Sequence, residues 1–306
     1  MAQQVDVGEG DMKKSVITRI GGGLGNQMFN FAVGEAIAVR TGRRHLIDLA
    51  EFHVVRSRRY GLDSFVGPHA VARPTVLVRA LLLAARIVQR FSHCCETAIL
   101  RAFGIRHIYA SNAFAFEEEF AIALGSTART LYVTGCYGLL PFLPSREELR
   151  RMFAFAAPAN ERNAAYLAQI KTVGDAVSLH IRRSDYLWAS NGCPALDESW
   201  YRAAIAEMSR CIASPRWFVF SDDVEWCRKT FADLPDATFV EGNDETPAED
   251  LRLMSACRHH VIANSTFSWW GAYLGADGGT TICPAQWFKG LPTRPGVMVP
   301  EDWILV

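Results

Sequence analysis

A histidine and two arginines stand together at the end of a strand predicted in the second half of the chain. The run from Ala176 to Ile181 predicts a buried strand that carries His180 and is followed by Arg182 and Arg183. Residues 180 and 182 share one face of a strand, so their side chains are expected to point at the same ligand. A guanidinium group suits a phosphate, and an imidazole adds a donor. The segment predicts an anion site, with a surface basic pair beside a buried histidine as the alternative.

Two more polar segments follow predicted strands further along the chain. Ser221, Asp222 and Asp223 come directly after one strand, where the acids could bind a base and ribose hydroxyls. Capping of a helix by Ser221 and Asp222 is the alternative. The segment Asn264 to Gly271 places hydroxyls before a helix whose N-terminus suits a pyrophosphate, or it is an ordinary cap beside buried aromatic residues. Because all three segments fall at strand ends of one predicted sheet, together they indicate a phosphate site.

A glycine-rich turn, Gly21 to Gly25, follows the first predicted strand. It does not fit the dinucleotide fingerprint G-x-G-x-x-G in either frame, and no G-K-[ST] of a P-loop is present. Asp48 on the next strand could contact a ribose, so an NAD enzyme remains an alternative. The turn lets backbone approach a ligand closely, and the amides of Asn26 and Gln27 could reach a sugar.

The sequence contains no pattern typical of a metal site or of disulfide bonds. No D-x-D triple is present, and no two of the eight cysteines form a C-x-x-C pair. Many sugar-nucleotide enzymes hold a metal with that triple, so a metal-independent site without a cofactor is expected here. The polar first residues are unlike a signal peptide, which predicts reduced thiols and a cytoplasmic protein.

Alternating strands and helices must position these residues. Strands are predicted at Ser15 to Ile20 and His45 to Leu49, with a helix from Asn26 to Thr41 between them, and βα units recur after Ala176. This pattern predicts an α/β fold with parallel sheets. Two domains are expected from the 306 residues, 1–160 and 161–306.

Composition excludes several classes of protein. Half of the residues are hydrophobic, which excludes a disordered chain, and 32 basic residues balance 32 acidic ones, which argues against a nucleic acid partner. No stretch is long and apolar enough to span a bilayer. The best candidate, Val76 to Ile105, is predicted to carry four arginines on one helical face. That face (Arg79, Arg86, Arg90 and Arg101) indicates either a packed helix with an arginine-lined solvent side or peripheral contact with an anionic membrane.

Four motifs in this order resemble the bacterial α-1,2-fucosyltransferases of glycosyltransferase family 11. They are Gly22 to Phe29, His180 to Tyr186, Phe220 to Asp223 and Ala263 to Gly271. The resemblance spans nearly the whole chain and implies a GT-B-like fold, with two Rossmann-like domains facing a central cleft. The first domain would be the acceptor side and the second would bind the GDP-sugar donor. It also implies metal-independent, inverting transfer of fucose from GDP-β-L-fucose to the 2-hydroxyl of a galactose-terminated glycan, in surface polysaccharide or O-antigen synthesis.

The resemblance also implies roles for individual residues. Arg182 matches the arginine at the donor β-phosphate, and His180 lies beside it in the sequence. Asp250 resembles the acid that binds guanine N1 and N2. Asn26 matches an asparagine near the transferred fucose. Ser184 departs from the family, which usually has glycine there. The remaining residues expected at the donor are Gly23, Gly25, Gln27, Arg183, Ser221, Asp222, Asp223, Asn264, Ser265, Thr266, Phe267 and Ser268.

The catalytic base is left open by the sequence. Asp185 is the first candidate, and pairing with Arg183 is its alternative role; Asp197, Glu198 and Glu35 are the others. Two further functions also stay open, namely transfer of another GDP-sugar or to another linkage, and an inactive module that binds GDP or a glycan.

Overall fold

The computed structural model describes residues 14–55, 58–69, 73–89, 92–110, 116–135, 138–183 and 195–306. Its strands are β1 (Ser15–Arg19), β2 (Arg44–Asp48), β3 (Ile105–Ala110), β4 (Thr130–Gly135), β5 (Ala176–Ile181), β6 (Arg216–Ser221), β7 (Ala237–Phe239), β8 (His259–Val261), β9 (Thr281–Cys283), β10 (Gln286–Phe288), β11 (Leu291–Pro292) and β12 (Ile304–Leu305). Its helices are α1 (Leu24–Thr41), α2 (Ala50–Val54), α3 (Val66–His69), α4 (Val76–Gln89), α5 (His93–Ala102), α6 (Phe116–Gly125), α7 (Arg146–Met152), α8 (Glu161–Thr172), α9 (Glu198–Cys211), α10 (Val224–Thr230), α11 (Pro247–Ala256) and α12 (Thr266–Leu274).

The described chain divides into two compact units. The first contains residues 14–20 and 30–55 together with those described between 73 and 135, and the second contains residues 21–29, 58–69 and those described between 138 and 306. This division differs from the expected boundary at residue 160. The glycine turn and the first turns of α1 belong to the second unit, because Phe29 packs its ring against Trp269 and Trp270 of α12 at centroid distances of 4.8 and 4.7 Å.

The first unit is built on a parallel sheet of four strands in the order β2-β1-β4-β3. Helices α4 and α5 cover one face of it, with Leu82, Ala85 and Leu100 fully buried against Ile17 and Tyr132. The predicted β-turn-α-β opening is confirmed in β1, α1 and β2. Such parallel sheets are stable only when helices cover them, which explains why this unit alternates strands and helices.

The second unit is built on a parallel sheet of six strands in the order β12-β9-β8-β5-β6-β7. Strand β5 is central and wholly buried. Its residues Val177, Leu179 and Ile181 face a core cluster that they share with Tyr201 of α9. His180 therefore lies on the opposite face of the strand, as its position predicts.

The register of this sheet brings the carboxyl ends of three strands side by side. Ile181 of β5 pairs with Ser221 of β6, and Leu179 of β5 pairs with Val261 of β8. The three polar segments that follow β5, β6 and β8 consequently emerge at one edge of the sheet. The predicted α/β class and the predicted convergence of these segments are both confirmed.

The predicted arginine face between Val76 and Ile105 is wrong. That range forms two separate helices, α4 and α5, so the helical spacing does not carry from one to the other. Arg86 also turns inward, where its Nε donates to Glu51 Oε2 at 2.6 Å. Arg79 and Arg101 are exposed, whereas Arg90 lies outside the described residues. No helix in the described ranges is long and apolar enough to cross a membrane.

Candidate active site

The glycine turn of the second unit lies against the start of α12. A Cβ on Gly25 would come within 2.5 Å of the Phe267 backbone nitrogen, so only glycine fits there without a shift of backbone. The indole Nε1 of Trp270 donates to the Gly25 carbonyl at 3.0 Å. Gly22 has a φ of +73°, a left-handed conformation that favours glycine. Gly23, by contrast, has open space where a Cβ would be, with Arg58 4.0 Å away.

Gln27 holds the glycine turn to a neighbouring loop. Its buried amide donates to the carbonyls of Gly22 and Arg59 at 3.0 and 2.8 Å and accepts from the Gly61 backbone nitrogen at 3.0 Å. Each bond goes to backbone, so the observed contacts of Gln27 position the turn. Its expected contact with the donor stays a prediction.

Asn26 links the same turn to the loop that opens α12. Its Oδ1 accepts from Thr266 Oγ1 at 2.8 Å. Ser265 is the N-cap of α12 and accepts from the Phe267 backbone nitrogen at 3.3 Å. Ser268 is fully buried, and its hydroxyl donates to the carbonyls of Ala263 and Ser265 at 3.4 and 3.2 Å. Thr266 and Phe267 are therefore the residues of this loop that are partly open to a ligand.

His180 lies between this loop and the arginine that follows β5. Its ring is 5.7 Å from the Phe267 ring, and its buried Nδ1 has no hydrogen-bond partner within the described ranges. Burial, followed by the nearby charge of Arg182, lowers the pKa of His180 to about 4. The imidazole is therefore neutral near pH 7, and one ring nitrogen then carries a proton that it can donate.

Arg182 is held in place by two neighbours. Its Nη1 is 3.2 Å from Asp222 Oδ2, with both side chains about one-fifth to one-quarter exposed. Its backbone nitrogen donates to the Tyr201 hydroxyl at 3.3 Å. The sequence did not single out Tyr201, because an aromatic residue on an amphipathic helix looks like any other core residue. The result is a fixed guanidinium group at the carboxyl end of β5.

Arg183 lies on the other side of the strand end. Its backbone nitrogen donates to Asp222 Oδ1 at 2.9 Å, and its Nε donates to Asp223 Oδ2 at 3.2 Å. Its guanidinium carbon lies 3.7 Å from the centre of the Trp226 ring. Asp223 also caps α10 by accepting from the Trp226 backbone nitrogen at 3.2 Å. Ser221 accepts from the Asp223 backbone nitrogen at 3.0 Å. The alternative of capping by Ser221 and Asp222 is therefore wrong in its residues. Asp223 is the N-cap of α10, Ser221 bonds the backbone of that cap, and Asp222 binds both arginines.

Asp250 lies at the first turn of α11 in a network of amides. Its Oδ1 accepts from Asn243 Nδ2 at 2.7 Å, and Asn243 exchanges two further bonds of 2.9 Å with Asn163 of α8. Burial raises the pKa of Asp250 to about 6, against the opposing effect of the Asn243 bond. A carboxylate supported on one oxygen can accept donors on the other, which is the chemistry expected for a guanine edge. Neither asparagine was singled out from the sequence, where single amides carry no pattern.

Asn264 is buried beside the same strand ends. Its Nδ2 donates to the Trp287 carbonyl at 3.2 Å, so this amide fastens the loop after β8 to β10. Its expected contact with the donor stays a prediction.

The candidate bases differ in what surrounds them. Asp185 and Ser184 lie outside the described residues. Asp197 caps α9 by accepting from the Trp200 backbone nitrogen at 2.9 Å, and Glu198 pairs with Arg202 at 2.7 Å. Glu35 belongs to the first unit, where its Oε2 lies 2.8 Å from His45 Nδ1. Structural partners thus occupy all three described candidates, which leaves Asp185 as the first choice.

The described residues also bear on two other ligands, NAD and a metal ion. Asp48 is buried and accepts from the Tyr132 hydroxyl at 2.7 Å and from the Ala50 backbone nitrogen at 3.0 Å, which removes the residue on which the NAD alternative depended. Within the described part of the chain, no three His, Cys, Asp or Glu side chains lie close enough to hold a metal ion.

Comparison with known proteins gives a match to the model of an enzyme family and to individual relatives. The model of Glycosyl transferase family 11 matches residues 101–292. The chain is 32% identical to an alpha-1,2-colitosyltransferase of Escherichia coli, over 95% of this chain and 98% of that protein. It is also 31% identical to human galactoside alpha-(1,2)-fucosyltransferase 1, over 45% of this chain and 40% of that protein.

Solved structures give the same fold with little sequence identity. Fucosyltransferase NodZ from Bradyrhizobium matches with a TM-score of 0.54 at 16% identity, over 86% of this chain and 94% of that one. A variant of Arabidopsis thaliana FUT1 in complex with GDP matches with a TM-score of 0.56 at 11% identity, over 89% of this chain and 70% of that one. These matches confirm the expected GT-B-like fold class.

Proposed function

This chain belongs to glycosyltransferase family 11, and from that premise we propose that it transfers L-fucose from GDP-β-L-fucose to the 2-hydroxyl of a terminal galactose in a glycan. The product would be an α-1,2-fucoside with inverted configuration at the anomeric carbon. Synthesis of a surface polysaccharide or O-antigen is the proposed setting, since one relative, 38% identical over 42% of this chain, is the Escherichia coli O-antigen biosynthesis glycosyltransferase WbnK.

The observation that carries this proposal is the cationic strand end in the second unit. Transfer breaks the bond between the anomeric carbon and the β-phosphate oxygen, and negative charge then builds up on the leaving GDP. Arg182, held by Asp222, supplies a fixed positive charge, and neutral His180 beside it can donate a hydrogen bond. The N-terminus of α12 adds backbone N–H groups and a helix dipole of the same sign. These groups support stabilisation of the leaving group without a metal.

The attacking galactose hydroxyl would approach the anomeric carbon from the face opposite GDP. As the new C–O bond forms, the hydroxyl proton must pass to a base or to water. We assign this role to Asp185, and Asn26, which Thr266 orients, would bind the transferred sugar. Asp250, supported by Asn243, would accept from guanine N1 and N2.

A second donor is favoured by one comparison. The relative matched over 95% of this chain carries colitose in its name, and colitose is fucose without its 3-hydroxyl. The same leaving group and linkage would serve both sugars, so the two donors differ only in contacts to that hydroxyl. GDP-colitose is therefore the alternative donor to compare with GDP-fucose.

The test is GDP release from each donor, with and without lactose, in excess EDTA. We expect release from GDP-fucose that depends on lactose and survives EDTA, and NMR of the product should show an α-1,2 linkage. Faster turnover of GDP-colitose would replace the donor while keeping the reaction. Release abolished by EDTA and restored by a divalent cation would refute the metal-independent mechanism. GDP binding without any transfer, for several galactosides, would indicate the inactive binding module.

A further inference from the structure

Two of the three polar side chains of helix α4 in the first unit are turned inward, and Arg79 is the exposed one. Arg86 donates to Glu51 at 2.6 Å, and Gln89 Oε1 accepts from Arg19 Nη1 at 2.8 Å. Leu82 and Ala85 are buried on the same side. A helix at a protein surface normally presents its polar residues to water, and here two of them are used inside.

The outward side of α4 is apolar. Leu77 and Val76 are 84% and 76% exposed and Ile87 is 48% exposed. Ala80 and Ala84 are exposed between them, so residues 77, 80, 84 and 87 follow one another at helical spacing on one face. We call these five residues (Val76, Leu77, Ala80, Ala84 and Ile87) the α4 ridge. An apolar surface rimmed by charge usually marks a binding surface.

The stretch of chain that contains the α4 ridge, between Asp63 and the three glutamates at 117–119, is basic although the whole chain is neutral. Residues 64–116 contain six arginines and one acid, Glu96. Glu96 is buried and paired with Arg19, so it does not offset the exposed charge. Three exposed arginines in the described part of this segment belong to α4, to the residues just before it or to the adjacent α5, namely Arg73, Arg79 and Arg101. Arg106 of β3 is exposed as well, but it lies near Glu119 of α6 and does not belong to this group. Phe103, 67% exposed, adds an apolar side chain beside Arg101.

We propose that the α4 ridge docks on an anionic membrane surface, with its aliphatic side chains in the interface and the surrounding arginines on lipid phosphates. Aliphatic burial and attraction to anionic lipid are the two contributions that hold a helix in a membrane interface. A second copy of the chain fits less well, because a two-fold contact through this ridge would bring exposed arginines of like charge towards one another. Such docking would place the enzyme beside acceptors carried on lipids, but it does not depend on which sugar is transferred.

The test is flotation of the full-length protein with vesicles of phosphatidylcholine alone or mixed with phosphatidylglycerol. We expect binding only to the anionic vesicles, weakening as salt rises, because the arginine contribution is screened. The double variant Leu77→Asp, Ile87→Asp should lower the partition coefficient about tenfold or more. Val39→Asp is the matched control, since Val39 is 69% exposed on another helix of the same unit and should bind like wild type.

The following outcomes would overturn the proposal that the α4 ridge docks on a membrane. Wild-type protein that floats with neither vesicle, or a double variant that floats like wild type, would show that the α4 ridge does not bind lipid. A wild-type dimer that the double variant dissociates, without vesicle binding, would assign the ridge to a second copy. Circular dichroism of the variants establishes that they are folded, so loss of flotation is not loss of structure.

Discussion

The side-chain oxygen of Asn26 accepts a hydrogen bond from the hydroxyl of Thr266 at 2.8 Å, although the two residues are 240 positions apart in the sequence. This bond, together with the approach of Gly25 to Phe267, joins the glycine turn to the first turn of α12. The N-terminal motif therefore contributes to the proposed donor site of the second unit. The proposed site depends on that junction as much as on the arginine at β5.

Substitution of Gly25 by alanine should damage this junction. The added Cβ would come within 2.5 Å of backbone at Thr266 and Phe267, which cannot move aside as a side chain can. We expect a loss of about 1 to 3 kcal/mol in the free energy of unfolding and weaker GDP binding, measured by denaturant unfolding and calorimetry. Gly174→Ala is the control, because nothing lies within 4 Å of its Cβ position, and it should leave both quantities unchanged. Equal behaviour of the two variants would show that the close approach is unimportant.

Removal of the Arg182 guanidinium group should stop transfer without unfolding the protein. Arg182→Ala is expected to lower kcat/KM by about 100-fold or more, because a charge that stabilises the leaving group is lost. Arg216→Ala is the matched control. Arg216 also pairs with an aspartate, Asp236 at 2.9 Å, but at the opposite end of the neighbouring strand β6. Near-normal turnover of Arg182→Ala, or an equal loss in both variants, would contradict the phosphate assignment.

Substitution of Asp222 tests how the positive charge of Arg182 is positioned. Its carboxylate lies 3.2 Å from Arg182 Nη1 and accepts from the Arg183 backbone nitrogen at 2.9 Å. Asp222→Asn keeps the shape but removes the ion pair, so we expect a smaller loss of kcat/KM than in Arg182→Ala, about tenfold. Steady-state kinetics of both variants gives the comparison. An unchanged kcat/KM in Asp222→Asn would show that Arg182 holds its position without this partner.

The placement of the three polar segments could be predicted from the sequence, because parallel strands bring their carboxyl ends to one edge. The role of Gln27 could not, since an amide bonds a sugar or a backbone carbonyl equally well. Its partners, Arg59 and Gly61, are brought near it only by tertiary packing. The inward turn of Arg86 was missed for the same kind of reason, because its partner Glu51 lies 35 positions away in a different helix.

The neutral histidine beside Arg182 should affect stability in acid. Burial lowers the pKa of His180 to about 4, against 6.5 for an exposed histidine. The unfolded chain therefore takes up a proton first as the pH falls below 6.5, and stability is lost between pH 6.5 and 4. This one group is expected to cost about 3 kcal/mol over that interval. Denaturant unfolding at several pH values should show a shallower loss for His180→Gln, whereas exposed His53→Gln should follow wild type. Parallel curves for all three proteins would contradict this assignment.

Asp250 should make GDP binding depend on pH in a defined direction. Its pKa is about 6, and only the carboxylate can accept from guanine N1 and N2. Protonation on lowering the pH from 7 to 5 should weaken GDP binding about tenfold, because the charged fraction falls by that factor. Asp250→Asn should bind GDP weakly at both pH values and show only the pH dependence that the phosphates of GDP themselves cause.

Inosine diphosphate separates the guanine contact from the phosphate contacts, because it lacks the N2 amine. Wild-type protein should prefer GDP to inosine diphosphate by about tenfold, the value of one hydrogen bond to a charged group. That preference should shrink in Asp250→Asn. It should shrink less in Asn243→Ala, which keeps the carboxylate but loses the donor 2.7 Å from it. Calorimetric titration of the three proteins with both nucleotides measures this directly. If Asp250→Asn kept the full preference for GDP, the base would have to be bound by another residue.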